Sequence, residues 1–130
     1  MTELAVVVDE VRVLVRMNRT SCGPFAHVLL RFEPPGPDGG LELLSVVPEE
    51  RLPGEFLPAL REGLLAGLDG VAAGVLVTDG TYHEVDSSEF GYRIAGREAG
   101  LAALIGAGLV PRTEARRLRW TTWPGAPRRR

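Results

Sequence analysis

The chain has no lysine, a single cysteine, two histidines and no apolar run close to a membrane span in length. Each absence excludes something. Without lysine there is no Schiff base, no Ser-Lys dyad and no phosphate-loop lysine. Cys22 alone makes no internal disulfide and suits a reducing compartment. A bilayer crossing needs ~20 consecutive apolar residues, and no stretch reaches that. Glu3 interrupts the basic-then-apolar layout of a secretory leader, so a cytoplasmic protein without a membrane association is expected. The histidines, His27 and His83, stand far apart. His83-Glu84 lacks the second histidine of a zincin, and a metal set of Cys22, His27 and His83 needs three distant segments to meet. A Cys22–His83 nucleophilic pair needs two loops to converge; a free loop thiol is the simpler reading. No metal, no cofactor, no small-molecule substrate and no catalytic residue are expected: the chain reads as a non-enzyme.

What is present is an ordinary globular composition, 45% hydrophobic and 25% charged over 130 residues, enough for one domain with its own core. The net charge of −2 hides an asymmetry. Residues 1–110 hold 8 Arg and 16 Asp or Glu, a balance of −8; residues 111–130 hold 7 Arg and one Glu, a balance of +6. The domain is therefore assigned to residues 1–110, and 111–130 to an Arg/Trp-rich C-terminal extension, disordered from about residue 124. Within it Arg116, Arg117, Arg119 and Trp120 form a candidate basic patch, with Trp123 nearby and Arg128, Arg129 and Arg130 at the end. Interleaved aromatics and arginines suit single-stranded RNA, by stacking and phosphate contact. The plainer reading is a solvated tail, or an edge strand over 117–123 whose tryptophans complete the core. The acidic body argues against broad RNA affinity, because neutralising phosphates supplies most non-specific binding.

Along the chain, Val11, Val13 and Val15 alternate with Arg12, Leu14 and Arg16, the period-2 pattern of a half-buried strand, bent near Asp9-Glu10. Residues 18–24 form a loop. Ala26, Val28, Leu30 and Phe32 make one face of a second strand over 25–32. The Pro/Gly-rich residues 34–40 then predict a hairpin connection to a third strand at 41–47, and so an antiparallel meander. Phe56, Leu60, Leu64 and Leu68 recur every four residues and predict a helix over 55–68, with Pro58 in its first turn and Gly70 at its stop. A short strand at 75–77 follows. A second helix over 88–106 presents Phe90, Ile94, Leu101 and Ile105 as its apolar face; Gly91, Gly96 and Gly100 within it suit close packing on a neighbour. The order is β-β-β-α-β-α, an α/β two-layer (α+β) sandwich with two helices on one face of a mixed sheet.

The stretch 78–90 is the densest in signals. Asp79-Gly80 predicts a tight turn, since glycine adopts positive φ freely. His83 follows three residues later, between Tyr82 and Glu84. Asp86, Ser87 and Ser88 then supply helix-capping side chains, and Glu89 lies three residues past Asp86, as in a capping box. A histidine presented between a turn and a helix N-terminus can meet phosphate or stack on a base; an exposed loop histidine is the plain alternative.

The run Asp79-Gly80-Thr81-Tyr82-His83-Glu84-Val85-Asp86-Ser87-Ser88-Glu89-Phe90, continuing into Arg93-Ile94-Ala95-Gly96, closely resembles the fourth domain of elongation factor G. Phe25-Ala26-His27-Val28 and Phe32-Glu33-Pro34 resemble its second strand, and Leu52-Pro53-Gly54-Glu55-Phe56-Leu57-Pro58-Ala59-Leu60 its first helix. The resemblance spans roughly residues 10–110. It implies a fold like that of ribosomal protein S5 domain 2. It also implies tip loops 18–24 and 79–88 that contact ribosome and RNA, through Asn18, Arg19 and Ser21 in one and Tyr82, His83 and Glu84 in the other. No Gly-rich phosphate loop accompanies it, which predicts a stand-alone, non-catalytic relative that works on the ribosome or rRNA, alone or with a separate GTPase. The alternative is a protein-interaction or oligomerising module that keeps the fold without the RNA role. Two departures stand out: the first tip loop reads Asn18-Arg19-Thr20-Ser21-Cys22-Gly23-Pro24 where the family is Gly-rich with a Gln, and the segment between Gly74 and Asp79 is short. The fourth strand is therefore expected to be curtailed or shifted in register.

Overall fold

The computed structural model describes residues 2–16, 24–84 and 87–126. Alternation builds the first two strands as expected. In β1 (Val8–Arg16) Val11, Val13 and Val15 point inward, and in β2 (Phe25–Glu33) Ala26, Val28, Leu30 and Phe32 do. They pair antiparallel from Arg16↔Phe25 to Val8↔Phe32. The ladder slips between Val8 and Val11, where Glu10 takes a φ of 54° and its amide is held by Asp9 Oδ1 at 2.8 Å. That bulge is the bend anticipated at Asp9-Glu10.

β3 (Leu41–Ser45) departs from the expected meander. It does not fold back on β2 but lies parallel to β4 (Ala73–Thr81), which pairs antiparallel with β2. The sheet order is β3-β4-β2-β1-β5, so residues 34–40 carry the chain past the position of β4 rather than around a hairpin. Such a parallel pair needs a crossover, and α1 (Leu57–Leu68) provides it, preceded by a 3-10 turn at Gly54–Phe56. Pro58 falls in the first turn of α1, and the helix ends at Asp69 with a φ of 48°.

β4 is neither curtailed nor ended by a turn at Asp79-Gly80. It runs nine residues, through both, to Thr81. The register shift is at Thr78: Leu30 pairs with Val77 and Leu29 with Asp79, leaving Thr78 as the bulged residue. Inward positions Ala73, Val75 and Val77 are thus followed by Gly80, while Asp79 and Thr81 stay on the outer face. Long-range pairing with β2 overrides the local turn preference of Asp-Gly.

α2 (Glu89–Gly106) lies against both α1 and the sheet, so it is buried on more than one side. A single apolar stripe therefore misplaces Phe90 in the core. Phe90 is 54% exposed, and Tyr92 is the buried aromatic. Gly63 and Gly96 sit where the two helices meet backbone to backbone: a Cβ on Gly63 would strike the Arg93 carbonyl, and one on Gly96 the Leu60 carbonyl. The close packing expected of Gly96 and Gly100 is found between the two helices.

Residues 111–126 are packed onto the body. β5 (Thr121–Thr122) pairs antiparallel with β1 at Arg12 and Val13, and Leu118 and Trp123 join the core. Glu98 of α2 draws this segment in. Its nearly buried carboxylate accepts the amides of Arg119 (3.0 Å) and Trp120 (2.9 Å) and the Thr121 hydroxyl (2.8 Å). Three donors satisfy a charge that would otherwise be costly to bury.

Candidate functional site

The strand register brings the residues flanking the first predicted tip loop and the end of the second to one end of the sheet. Arg16 pairs with Phe25 across the base of the first loop, and Phe25 bridges to Ser87 at the end of the second. Asn18, Arg19 and Ser21 lie outside the described residues, as do Cys22, Asp86 and Arg128 to Arg130.

The second loop is held by Ser87. Its hydroxyl accepts the His83 amide at 2.7 Å and donates to the Phe25 carbonyl at 3.1 Å, and its amide donates to the His83 carbonyl at 2.8 Å. Ser87 therefore ties loop to strand and is not the helix cap. Ser88 is the N-cap: its backbone is extended (φ −152°, ψ 164°) and its hydroxyl accepts the Gly91 amide. Gly91 has a reason of its own, since a side chain there would press on the Phe25 carbonyl at 3.3 Å.

Tyr82, His83 and Glu84 are all exposed or half-exposed at the surface of the tip. The His83 ring lies 6.0 Å from the Phe25 ring, tilted by 58°. Tyr82 leans on Phe56 at 6.2 Å, and Phe56 stacks on Tyr92 at 4.6 Å. The Tyr92 hydroxyl donates to the Thr81 carbonyl at 2.8 Å, and burial pushes its pKa up, so it remains a donor. Nothing in the sequence announces this aromatic row, which braces the tip from below. Phe56 and Tyr92 are remote in sequence from one another and look like ordinary helix residues.

Beside the tip, on the sheet face away from the helices, a polar chain crosses three strands. Arg12 donates to His27 Nε2 at 2.6 Å, and His27 Nδ1 lies 3.1 Å from the Thr81 hydroxyl. An arginine only donates, so Nε2 is the acceptor and the proton sits on Nδ1. Burial first and then the Arg12 charge hold the His27 pKa below its usual value. Next to it the Asp79 carboxylate accepts the Gly80 amide at 2.8 Å and pairs with Arg51 at 2.9 Å. The amide bond is the main reason its pKa is lowered.

The C-terminal patch divides. Arg117 pairs with Glu114 at 3.1 Å, the Arg119 guanidinium lies 5.0 Å from the Trp120 ring centre, and Arg116 is exposed. The Trp120 carbonyl accepts the Leu14 amide, which places this residue against the edge of β1 and not in the tip. Among the described residues no group of three His, Cys, Asp or Glu is gathered as a metal site, and no helix is long and apolar enough to cross a membrane.

A solved chain from Thermus thermophilus is similar over 73% of this protein, with a TM-score of 0.60 and 23% sequence identity. The match uses 15% of that chain, so the present sequence corresponds to a small part of its length. At this identity the likeness speaks for the fold: a mixed five-stranded sheet with two helices on one face, as in ribosomal protein S5 domain 2-like folds. The family model for elongation factor G, domain IV, matches residues 8–108, a span that runs from the first residue of β1 to just past the end of α2 and includes the whole second tip loop. With that match covering most of the chain, the protein belongs to the elongation factor G domain IV family.

Proposed function

We propose that this domain occupies an RNA surface of the ribosome through its tip, without hydrolysing nucleotide itself. The observation that carries the reading is the family match over residues 8–108, joined to the bridge from Phe25 to Ser87 at the end of the second tip loop. Tyr82 and His83 supply rings that stack on bases, and the first loop carries Arg19 for phosphate. The Arg116, Arg117 and Arg119 patch adds electrostatic attachment at a distance from the tip. The setting is cytoplasmic translation.

Co-sedimentation with ribosomes at low ionic strength tests it. The wild-type protein pellets with ribosomes, and His83→Ala weakens the association about tenfold, in keeping with ~1–3 kcal/mol per stacked base. If the wild-type protein stays in the supernatant, the reading fails. A second reading, a protein-binding module that no longer contacts RNA, is favoured by the acidic balance of residues 1–110. A protein complex insensitive to both salt and ribonuclease would select it.

A further inference from the structure

Among the described residues no strand pairs with the outer edge of β3. The Val46 amide donates to the Val77 carbonyl, and Gly40 accepts the Ala73 amide, so the even-numbered residues of this segment turn their backbone groups toward β4. Leu41, Leu43 and Ser45 turn theirs outward. Among the described residues the outward amides and carbonyls of Leu43 and Ser45 have no hydrogen-bond partner; the Leu41 carbonyl accepts Arg61 of α1 at 3.0 Å. Edges of this kind are ordinarily blunted by shortness, charged side chains, proline or a bulge. β3 is short and carries one charge, Glu42, but it has no proline, no lysine and no bulge within its five residues. The two most exposed large apolar side chains among the described residues lie here, Leu44 at 61% and Val46 at 66%. Leu65, 49% exposed, stands one helical turn beyond Arg61 on α1.

We propose that β3 pairs antiparallel with β3 of a second copy about a two-fold axis at Leu43, joining the two five-stranded sheets into one. The strand itself argues for a copy of the same chain. With Leu43 at the axis, Leu43 bonds its own counterpart and Leu41 bonds Ser45 of the second copy, so every outward backbone group of both strands is satisfied. Such an interface is self-complementary, as a two-fold requires. Glu42, the only charged residue of β3, then lies opposite Leu44 of the other copy, never opposite another Glu42. A parallel in-register pairing would oppose the two carboxylates, which is unfavourable. The proposal does not depend on any RNA role of the tip.

The register makes a charge test possible, because residue 44 faces Glu42 twice in each dimer. The dissociation constant is measured by analytical ultracentrifugation of the full chain, with circular dichroism to confirm folding of each variant. Wild type dimerises. Leu44→Glu opposes carboxylates at both positions and weakens the dimer by roughly tenfold or more, whereas Leu44→Lys, facing Glu42, holds it within about threefold of wild type. A wild type that stays monomeric overturns the proposal. So does a dimer indifferent to Leu44→Glu, or one weakened equally by the glutamate and the lysine, which would place the contact elsewhere or in another register.

Discussion

His27 is the residue whose chemistry is most tightly set by its neighbours. Arg12 fixes the tautomer, Thr81 receives the remaining ring proton, and a second proton would have to enter Nε2 against the guanidinium. Because its native pKa is lowered, the unfolded chain binds a proton that the folded one refuses. Stability is therefore lost as pH falls below about 6.5 toward the lower native value. An NMR titration of the His27 ring should show a midpoint below that of a free histidine. Arg12→Ala should raise it only part of the way, since burial is the larger cause. The His27→Gln variant should lose this component of the pH slope. Of the tip residues named from sequence, Ser88 caps α2 as its residue type suggests, while the neighbouring Ser87 does something else. Both are serines before a helix. Only the position of Phe25, brought alongside by β-pairing from 62 residues away, separates their roles.

At the scale of elements, the contact between α1 and α2 turns helix propensity upside down. In an isolated helix Gly96→Ala would stabilise by about 1 kcal/mol. Here the added methyl meets the α1 backbone, which cannot move aside as a side-chain tip can. Gly96→Ala is expected to destabilise by about 3 kcal/mol, the upper end of overpacking, read from the urea midpoint. The strands show where local sequence does and does not decide. In β1 and β2 the alternating valines and leucines report burial correctly, because one face of each meets the helices and the other does not. β3 also alternates, yet alternation cannot say which strand lies alongside. Its place on the far side of β4 is hidden from the sequence for that reason. Tyr92 escapes on similar grounds: a helix buried on two sides has no single stripe.

For the molecule as a whole, one carboxylate adds three hydrogen bonds to the β5 pairing and the burial of Leu118 and Trp123 that hold residues 111–126. Glu98→Ala would leave the Arg119 and Trp120 amides without their acceptor and should cost about 3 kcal/mol, with faster tryptic cleavage at Arg116, Arg117 and Arg119. Glu98→Gln should be milder, since an amide oxygen in place of Oε1 still receives Trp120 and Thr121. Nothing near Glu98 in sequence announces this, because its donors come from 21 to 23 residues later. A lone Glu in an amphipathic helix reads as solvent-facing until the extension is seen to close over it.

The bulge at Thr78 gives the sheet a reading frame. Every other residue of β4 counts toward the alternation that sends Val75 and Val77 inward and Asp79 outward; Thr78 does not. Removing it would leave the inward and outward sets unchanged, with an unbroken ladder against β2 and the loss of one hydroxyl bond to the Leu29 carbonyl. Removing Leu76 would instead throw the residues on one side of the gap onto the wrong face. A chain lacking Thr78 should therefore melt as a folded domain while one lacking Leu76 should not, so β4 has one position where evolution can shorten the strand without rewriting it.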